Sequence, residues 1–131
     1  MSQDTRRKIS EFTDLIAWQE AHKLVVHIYK LTKDFPKDET FGIVSQMRRA
    51  AVSITSNIAE GFGRHGYKER IQFYYLSHGS LVELKNQLII ARDVGYLNPQ
   101  KYATVNEQLV LSQKLLQGLI KRSKTFLNPA S

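Results

Sequence analysis

Cysteine is absent from the 131 residues. That excludes disulfides, a thiolate nucleophile and a cysteine-rich zinc site, and it fits a reducing interior. Long apolar runs are absent too. No segment approaches the ~20 residues that a membrane helix needs, and the polar stretch from Met1 to Ser10 lacks the apolar core of a secretory signal. The expectation is a soluble cytoplasmic protein with no membrane partner. Acidic side chains are the minority, 12 against 19 Lys and Arg, which leaves a net charge of +7. Such a surplus points to nucleic acid, an anionic surface or an acidic protein as partner, although surface charge also serves solubility.

What is present is helical periodicity, in a chain whose length suits one domain with one core. The first segment is predicted from about Thr13 to Lys33, with Thr13 as cap and Asp14 at the positive end of the dipole. Leu15, Trp18, Ala21, Leu24, Val25, Ile28 and Leu31 form its apolar face. Pro36 ends it by disfavouring helical geometry at Phe35. The second runs from Glu39 or Thr40 to about Gly61, with Ile43, Val44, Met47, Ala50, Ala51, Ile54 and Ile58 on one side. The third spans about Tyr67 to Val94. Its stripe is Ile71, Tyr74, Tyr75, His78, Val82 and Ile89, widened by Leu81, Leu84 and Leu88, with Gln72, Glu83, Asn86 and Gln87 as a narrow polar strip. Gly95 stops it. Asn98 then caps a fourth helix that has Pro99 in its first turn and reaches about Phe126. No alternating strand pattern and no fixed-period repeat competes. Short connections favour antiparallel neighbours. The expected organisation is a flexible basic arm over residues 1–12, an all-α, antiparallel up-down-up-down four-helix bundle over 13–127, and a disordered tail over 128–131.

Several chemistries are missing. Gly61, Gly63 and Gly66 follow a helix rather than a strand, and no Gly-Lys-Ser/Thr accompanies them, so they read as a turn that closes the second helix and not as a phosphate loop. The four histidines, His22, His27, His65 and His78, make no Glu-x-x-His or other good metal spacing. His78 is expected as a hydrogen-bonded interior residue. Glu60 and Glu83 have no activated nucleophile beside them. The chain reads as non-enzymatic, without catalytic residues, metal or cofactor.

Two surfaces remain. Opposite the core stripe of the second helix lie Ser45, Arg49, Val52, Ser53, Ser56, Ala59 and Glu60, mostly small residues where a solvated face carries Lys, Glu and Gln. A subunit interface at Arg49, Val52, Ser53, Ser56, Asn57 and Glu60 is the expectation. Asn57, a poor helix former, would hydrogen-bond across a packing contact, and Arg49 and Glu60 would find partners on a neighbour. Up-down topology also gathers Arg6, Arg7, Lys8, Arg64, Lys68, Arg70, Lys121, Arg122 and Lys124 at one pole. At the other, Lys33, Lys37, Arg92 and Lys101 cancel against Asp34, Asp38, Glu39 and Asp93. The basic pole is the candidate nucleic-acid surface, for RNA or DNA with RNA favoured. Tyr67 and His65 are placed there to stack on bases, or else to pack on the turn and meet solvent.

The runs Asp14-Leu-Ile-Ala-Trp-Gln-Glu-Ala21, Gln46-Met-Arg-Arg-Ala-Ala-Val-Ser-Ile54, Ser56-Asn-Ile-Ala-Glu-Gly61 and Gly79-Ser-Leu-Val-Glu83 carry a family resemblance over about Phe12 to Ile120. The chain resembles the bacterial four-helix-bundle proteins encoded in intervening sequences of 23S ribosomal RNA genes. It is also similar to the accessory variability protein of diversity-generating retroelements, a basic pentamer thought to bind nucleic acid and a reverse transcriptase. The resemblance implies an antiparallel bundle that assembles as a ring-like homopentamer. Arg48, Arg49, Asn57, Glu60 and Gly61 match its motif positions, with no catalytic role to carry over. The alternative to a nucleic-acid partner is a scaffold for an acidic or reverse-transcriptase-like protein.

Overall fold

The computed structural model describes residues 8–127. Residues 1–7 and 128–131, and with them Arg6, Arg7, the C-terminal tail and most of the basic arm, lie outside the described residues. Four helices build the fold: α1 (Ile16–Thr32), α2 (Ile43–Phe62), α3 (Tyr67–Asp93) and α4 (Pro99–Lys124). Each packs on its two neighbours around a square, with α1 against α2 and α4, and α3 against α2 and α4. The backbones of the diagonal pairs stay further apart. This is the antiparallel four-helix bundle expected from the periodicity, and the described residues contain no strand. No helix among them is long and apolar enough to cross a membrane.

Two helix starts differ from the expectation. Thr13 does not cap α1. Phe12–Asp14 form a separate 3-10 turn, and Leu15, in extended geometry, precedes the helix. The Asp14 carboxylate accepts from the Ser10 and Glu11 amides upstream, at 2.9 and 3.0 Å, which fixes the turn as its own unit. α2 begins at Ile43 because Lys37–Glu39 also make a 3-10 turn and Gly42 leaves helical geometry. The α3–α4 corner is as read. Gly95 adopts φ +91°, the one positive φ among the described residues, and Asn98 accepts the Lys101 amide at 2.8 Å. The α2–α3 turn is not: Gly63 has φ −79°, so left-handed geometry does not close α2.

The core joins Leu24 and Ile28 of α1, Met47, Ile54 and Ile58 of α2, Tyr74, Leu81, Leu84 and Leu88 of α3, and Val105 and Leu116 of α4, all fully buried. The stripe expected on α3 is rotated. Ile71, Tyr74, Ser77, Leu81, Leu84, Leu88 and Ala91 face inward, whereas Tyr75 and Val82 are 50% and 52% exposed. Gln87, assigned to the polar strip, is buried. Apolar side chains occur all round α3, so their spacing alone does not choose a face.

At the pole opposite the basic one, Phe35 packs on Tyr96 with ring centroids 5.3 Å apart, and the Tyr96 hydroxyl donates to Glu39 at 2.6 Å. The carboxylate that accepts this proton raises the Tyr96 phenol above its usual range, and burial raises Tyr74 against the opposing influence of Arg70. A phenol with a raised folded pKa contributes stability that is fully present below its unfolded value, about 10, and is lost as pH rises through the folded value. Urea midpoints are therefore expected to hold to about pH 10 and fall above it. Tyr96→Phe should lower the neutral-pH midpoint and flatten the alkaline fall. A midpoint still constant well above that pH contradicts the assignment.

Candidate nucleic-acid interface and self-association face

The basic pole is organised by the α2–α3 turn. Gly61, buried in the last turn of α2, lets α3 approach closely. The Arg64 guanidinium lies over Phe73 at 4.6 Å and pairs with Glu60 at 3.0 Å. Arg70 donates from Nε to the Arg64 carbonyl at 2.7 Å and covers the Phe62 and Tyr67 rings at 5.2 and 4.8 Å. Tyr67 in turn stacks on Phe126 beyond α4, centroids 4.9 Å apart, and Lys124 Nζ sits 5.2 Å from the Tyr75 ring. The turn and the end of α4 thus meet at one pole, as the topology requires.

These contacts divide the nine cations assigned to this pole from the sequence. Arg6 and Arg7 lie outside the described residues. Arg64, Arg70 and Lys124 have partners within the chain and hold the pole together. Lys8, Lys68, Lys121 and Arg122 are exposed and make no ion pair or cation–π contact among the described residues. Tyr67 is occupied by Phe126 and Arg70, which corresponds to the packing alternative, and His65 is exposed. Sequence reasoning missed Arg70 as the clasp of the turn. The available signal was the pair of aromatic residues, Phe62 and Tyr67, that flank the turn just before it.

The outer side of α2 is mixed. Arg49, Val52, Ser56 and Glu60 are exposed, and Ser56, Ala59, Glu60, Gly63 and Arg64 line a shallow recess. Ser53 instead meets Ser80 of α3, oxygen to oxygen at 2.8 Å. Asn57 donates to the Ser53 carbonyl and hydroxyl at 2.9 and 3.1 Å. Its amide is thus bonded within its own helix rather than across a packing contact. Glu60 likewise has Arg64 as partner in its own chain.

Three of the four histidines have ring or hydrogen-bond neighbours. His22 stacks on Trp18, His27 bonds Gln108 at 2.8 Å, and half-buried His78 bonds Gln113 at 3.2 Å. Among the described residues no group of three His, Asp or Glu side chains stands close enough to hold a metal ion.

No curated protein matches the chain. Among solved structures it is similar to a Bacteroides thetaiotaomicron protein of unknown function from the S23 ribosomal protein family. The TM-score is 0.75 and the identity 21%, over 81% of this chain and 99% of that one. That likeness concerns the fold. The family model for the 23S rRNA-intervening sequence protein matches residues 13–118, most of the described bundle, and the chain belongs to that family.

Proposed function

We propose that this protein is a non-enzymatic, self-associating bundle that binds nucleic acid, RNA in the first place, through its basic pole. The observation that carries the reading is the set of exposed, unpartnered cations Lys8, Lys68, Lys121 and Arg122 at one end of the bundle. The pole beneath them is held rigid by Arg64, Arg70 and the Tyr67–Phe126 stack. Lysine and arginine fixed on a rigid surface bind phosphates by releasing condensed counterions, without reading sequence. The description of the family refers to 23S rRNA, which makes RNA the first ligand to test. Assembly with aligned subunits, in the ring-like pentamer that the resemblance implies, multiplies the field on one face.

Titration of a labelled single-stranded RNA, followed by fluorescence anisotropy, tests the reading. Four phosphate contacts per subunit predict that affinity falls on the order of 50-fold between about 50 mM and about 200 mM salt. No binding at the lower salt, or binding indifferent to salt, contradicts it. Self-association is tested by Ser56→Arg. Ser56 is exposed and its side chain has no hydrogen-bond partner among the described residues, so a long cation there leaves the bundle folded and blocks a close helix contact. Light scattering should then report a monomer where the unmodified protein is oligomeric. Equal masses would rule out this part of α2 as a contact.

A further inference from the structure

The outer side of α1 carries a ladder of rings that stops one rung short. Trp18, His22, Val26 and Lys30 follow at four-residue steps, so each side chain stands beside the next. Phe12 meets the half-buried Trp18 edge-on, with ring centroids 5.5 Å apart. His22 stacks on Trp18 with centroids 4.8 Å apart and planes 15° from parallel. The next position holds Val26, which is 39% exposed and offers no ring. The exposed His22 imidazole has no second ring partner among the described residues. An open recess of about 380 Å³ lies here, lined by His22, Lys23, Val26, His27, Lys30 and Gln108. On its α4 side His27 donates from Nδ1 to Gln108 Oε1 at 2.8 Å, because that oxygen can only accept. This leaves Gln108 Nε2 as a donor and His27 Nε2 as an acceptor. Lys23 is paired with Glu20 at 2.9 Å. Lys30 is exposed and makes no ion pair or cation–π contact among the described residues. Glu107 is exposed too, but it sits about 100° around α4 from Gln108.

We propose that this recess is a nucleotide site for single-stranded RNA, with the base stacked on His22 in the place of the missing rung and the phosphate at Lys30. The site deepens the RNA reading of the proposed function and rests on it for the choice of ligand. Each part of a nucleotide finds its counterpart. The flat face of the base lies on the imidazole, which Trp18 and Phe12 hold from behind. Its polar edge meets the donor of Gln108 and the acceptor of His27. Its phosphate meets the free ammonium of Lys30. Stacking of this kind tolerates any base, because every base has a π face. It requires an unstacked base, so the site takes a single strand or a loop and not a duplex. The recess also continues from the basic pole. The antiparallel order of the helices puts the start of α1 at that pole. His22 lies six residues beyond Ile16, which is about 9 Å along the helix. A strand whose phosphates are held by the pole cations therefore runs onto the ladder, where a base is held as well.

Trp18 is the only tryptophan in the chain, so its emission reports on the ladder. A single-stranded oligoadenylate and free AMP are titrated separately against the full chain, with Trp18 fluorescence and oligonucleotide anisotropy as readouts. The oligonucleotide is expected to quench Trp18. His22→Ala should weaken its binding about tenfold, the loss of one stacked base, and His22→Tyr, which keeps a ring, should restore it. Val26→Phe fills the recess with the missing rung and should weaken binding to a similar degree at unchanged charge. Both positions are exposed, and circular dichroism checks that each variant folds. Oligonucleotide binding that leaves Trp18 emission unchanged, or that is indifferent to His22→Ala, overturns the base site and leaves the basic-pole reading intact. Quenching by AMP that depends on His22, with no binding of the oligonucleotide, overturns the RNA reading and keeps the recess as a site for a free nucleotide. A Trp18 emission that responds to neither ligand overturns the recess as a nucleotide site.

Discussion

Lys68→Glu, Lys121→Glu and Arg122→Glu, combined in one protein, are expected to abolish RNA binding while the thermal midpoint stays within a few degrees of the parent. All three side chains are exposed and make no ion pair or cation–π contact among the described residues. Surface substitutions away from specific partners usually change stability by less than about 0.5 kcal/mol. Their effect on a polyanion is larger. Each lost phosphate contact removes about 0.7 from the log–log salt slope for a single strand, so the triple variant should lose about 2 from that slope. Reversal also adds repulsion where attraction stood, and the affinity should drop a hundredfold or more. Anisotropy titrations at several salt concentrations read both quantities. Arg64, Arg70 and Lys124 are poor choices for this experiment despite their charge. Arg70 clasps the α2–α3 turn through the Arg64 carbonyl, so its removal would confuse loss of binding with loss of fold.

Gly61→Ala is expected to have the largest effect on stability for the fewest atoms added. The new Cβ would lie 2.8 Å from Tyr74 Cε1, 2.9 Å from Phe73 Cβ and 3.1 Å from the Arg70 carbonyl. None of these yields cheaply: Tyr74 is fully buried, Phe73 is held under Arg64, and the third atom is backbone. Overpacking of this kind costs about 1–3 kcal/mol, against a gain of up to about 1 kcal/mol from replacing a helical glycine. Urea denaturation should show a net loss, larger again for Gly61→Val. Gly118→Ala is the control. A Cβ at that helical position meets nothing within 4 Å, so the propensity gain should appear alone. A Gly61→Ala protein as stable as the Gly118→Ala protein would contradict the close α2–α3 crossing.

These two glycines show how far the sequence could be read. Gly61 was legible as a residue that ends α2, but its purpose was not, because the close neighbour comes from α3 and no local pattern reports a crossing. The helices themselves were legible from three- and four-residue spacing, from Pro36 and Gly95, and from the Asn98–Pro99 start. The two missed starts share a cause. Side chains at Asp14 and Glu39 hold 3-10 turns through specific bonds that helix propensity does not anticipate. On α3 the inward face was misjudged because apolar residues surround the helix. That same excess of apolar carbon leaves Leu76, Val82 and Ile90 exposed on the outside of α3.

At the candidate site the sequence located the basic pole but could not sort its cations. Topology alone places Arg64, Lys68, Arg70 and Lys121 together. Only the structure distinguishes Arg64, Arg70 and Lys124, which lie over aromatic rings, from Lys68, Lys121 and Arg122, which are left to solvent. Ser53 and Asn57 illustrate the same limit on α2. Small and polar residues looked available to a neighbour, whereas both are joined to each other and, through Ser80, to α3. Glu60, Arg49, Val52 and Ser56 are exposed on the outer side of α2.

Lysine protection mapped by mass spectrometry tests the central claim most directly. The protein is labelled with an amine-reactive reagent at one fixed concentration, with and without a saturating single-stranded RNA. The basic-pole account predicts that Lys68 and Lys121 lose reactivity when RNA is added, while Lys33 and Lys37 at the opposite pole do not change. Equal protection at both poles, or protection confined to Lys33 and Lys37, would contradict it.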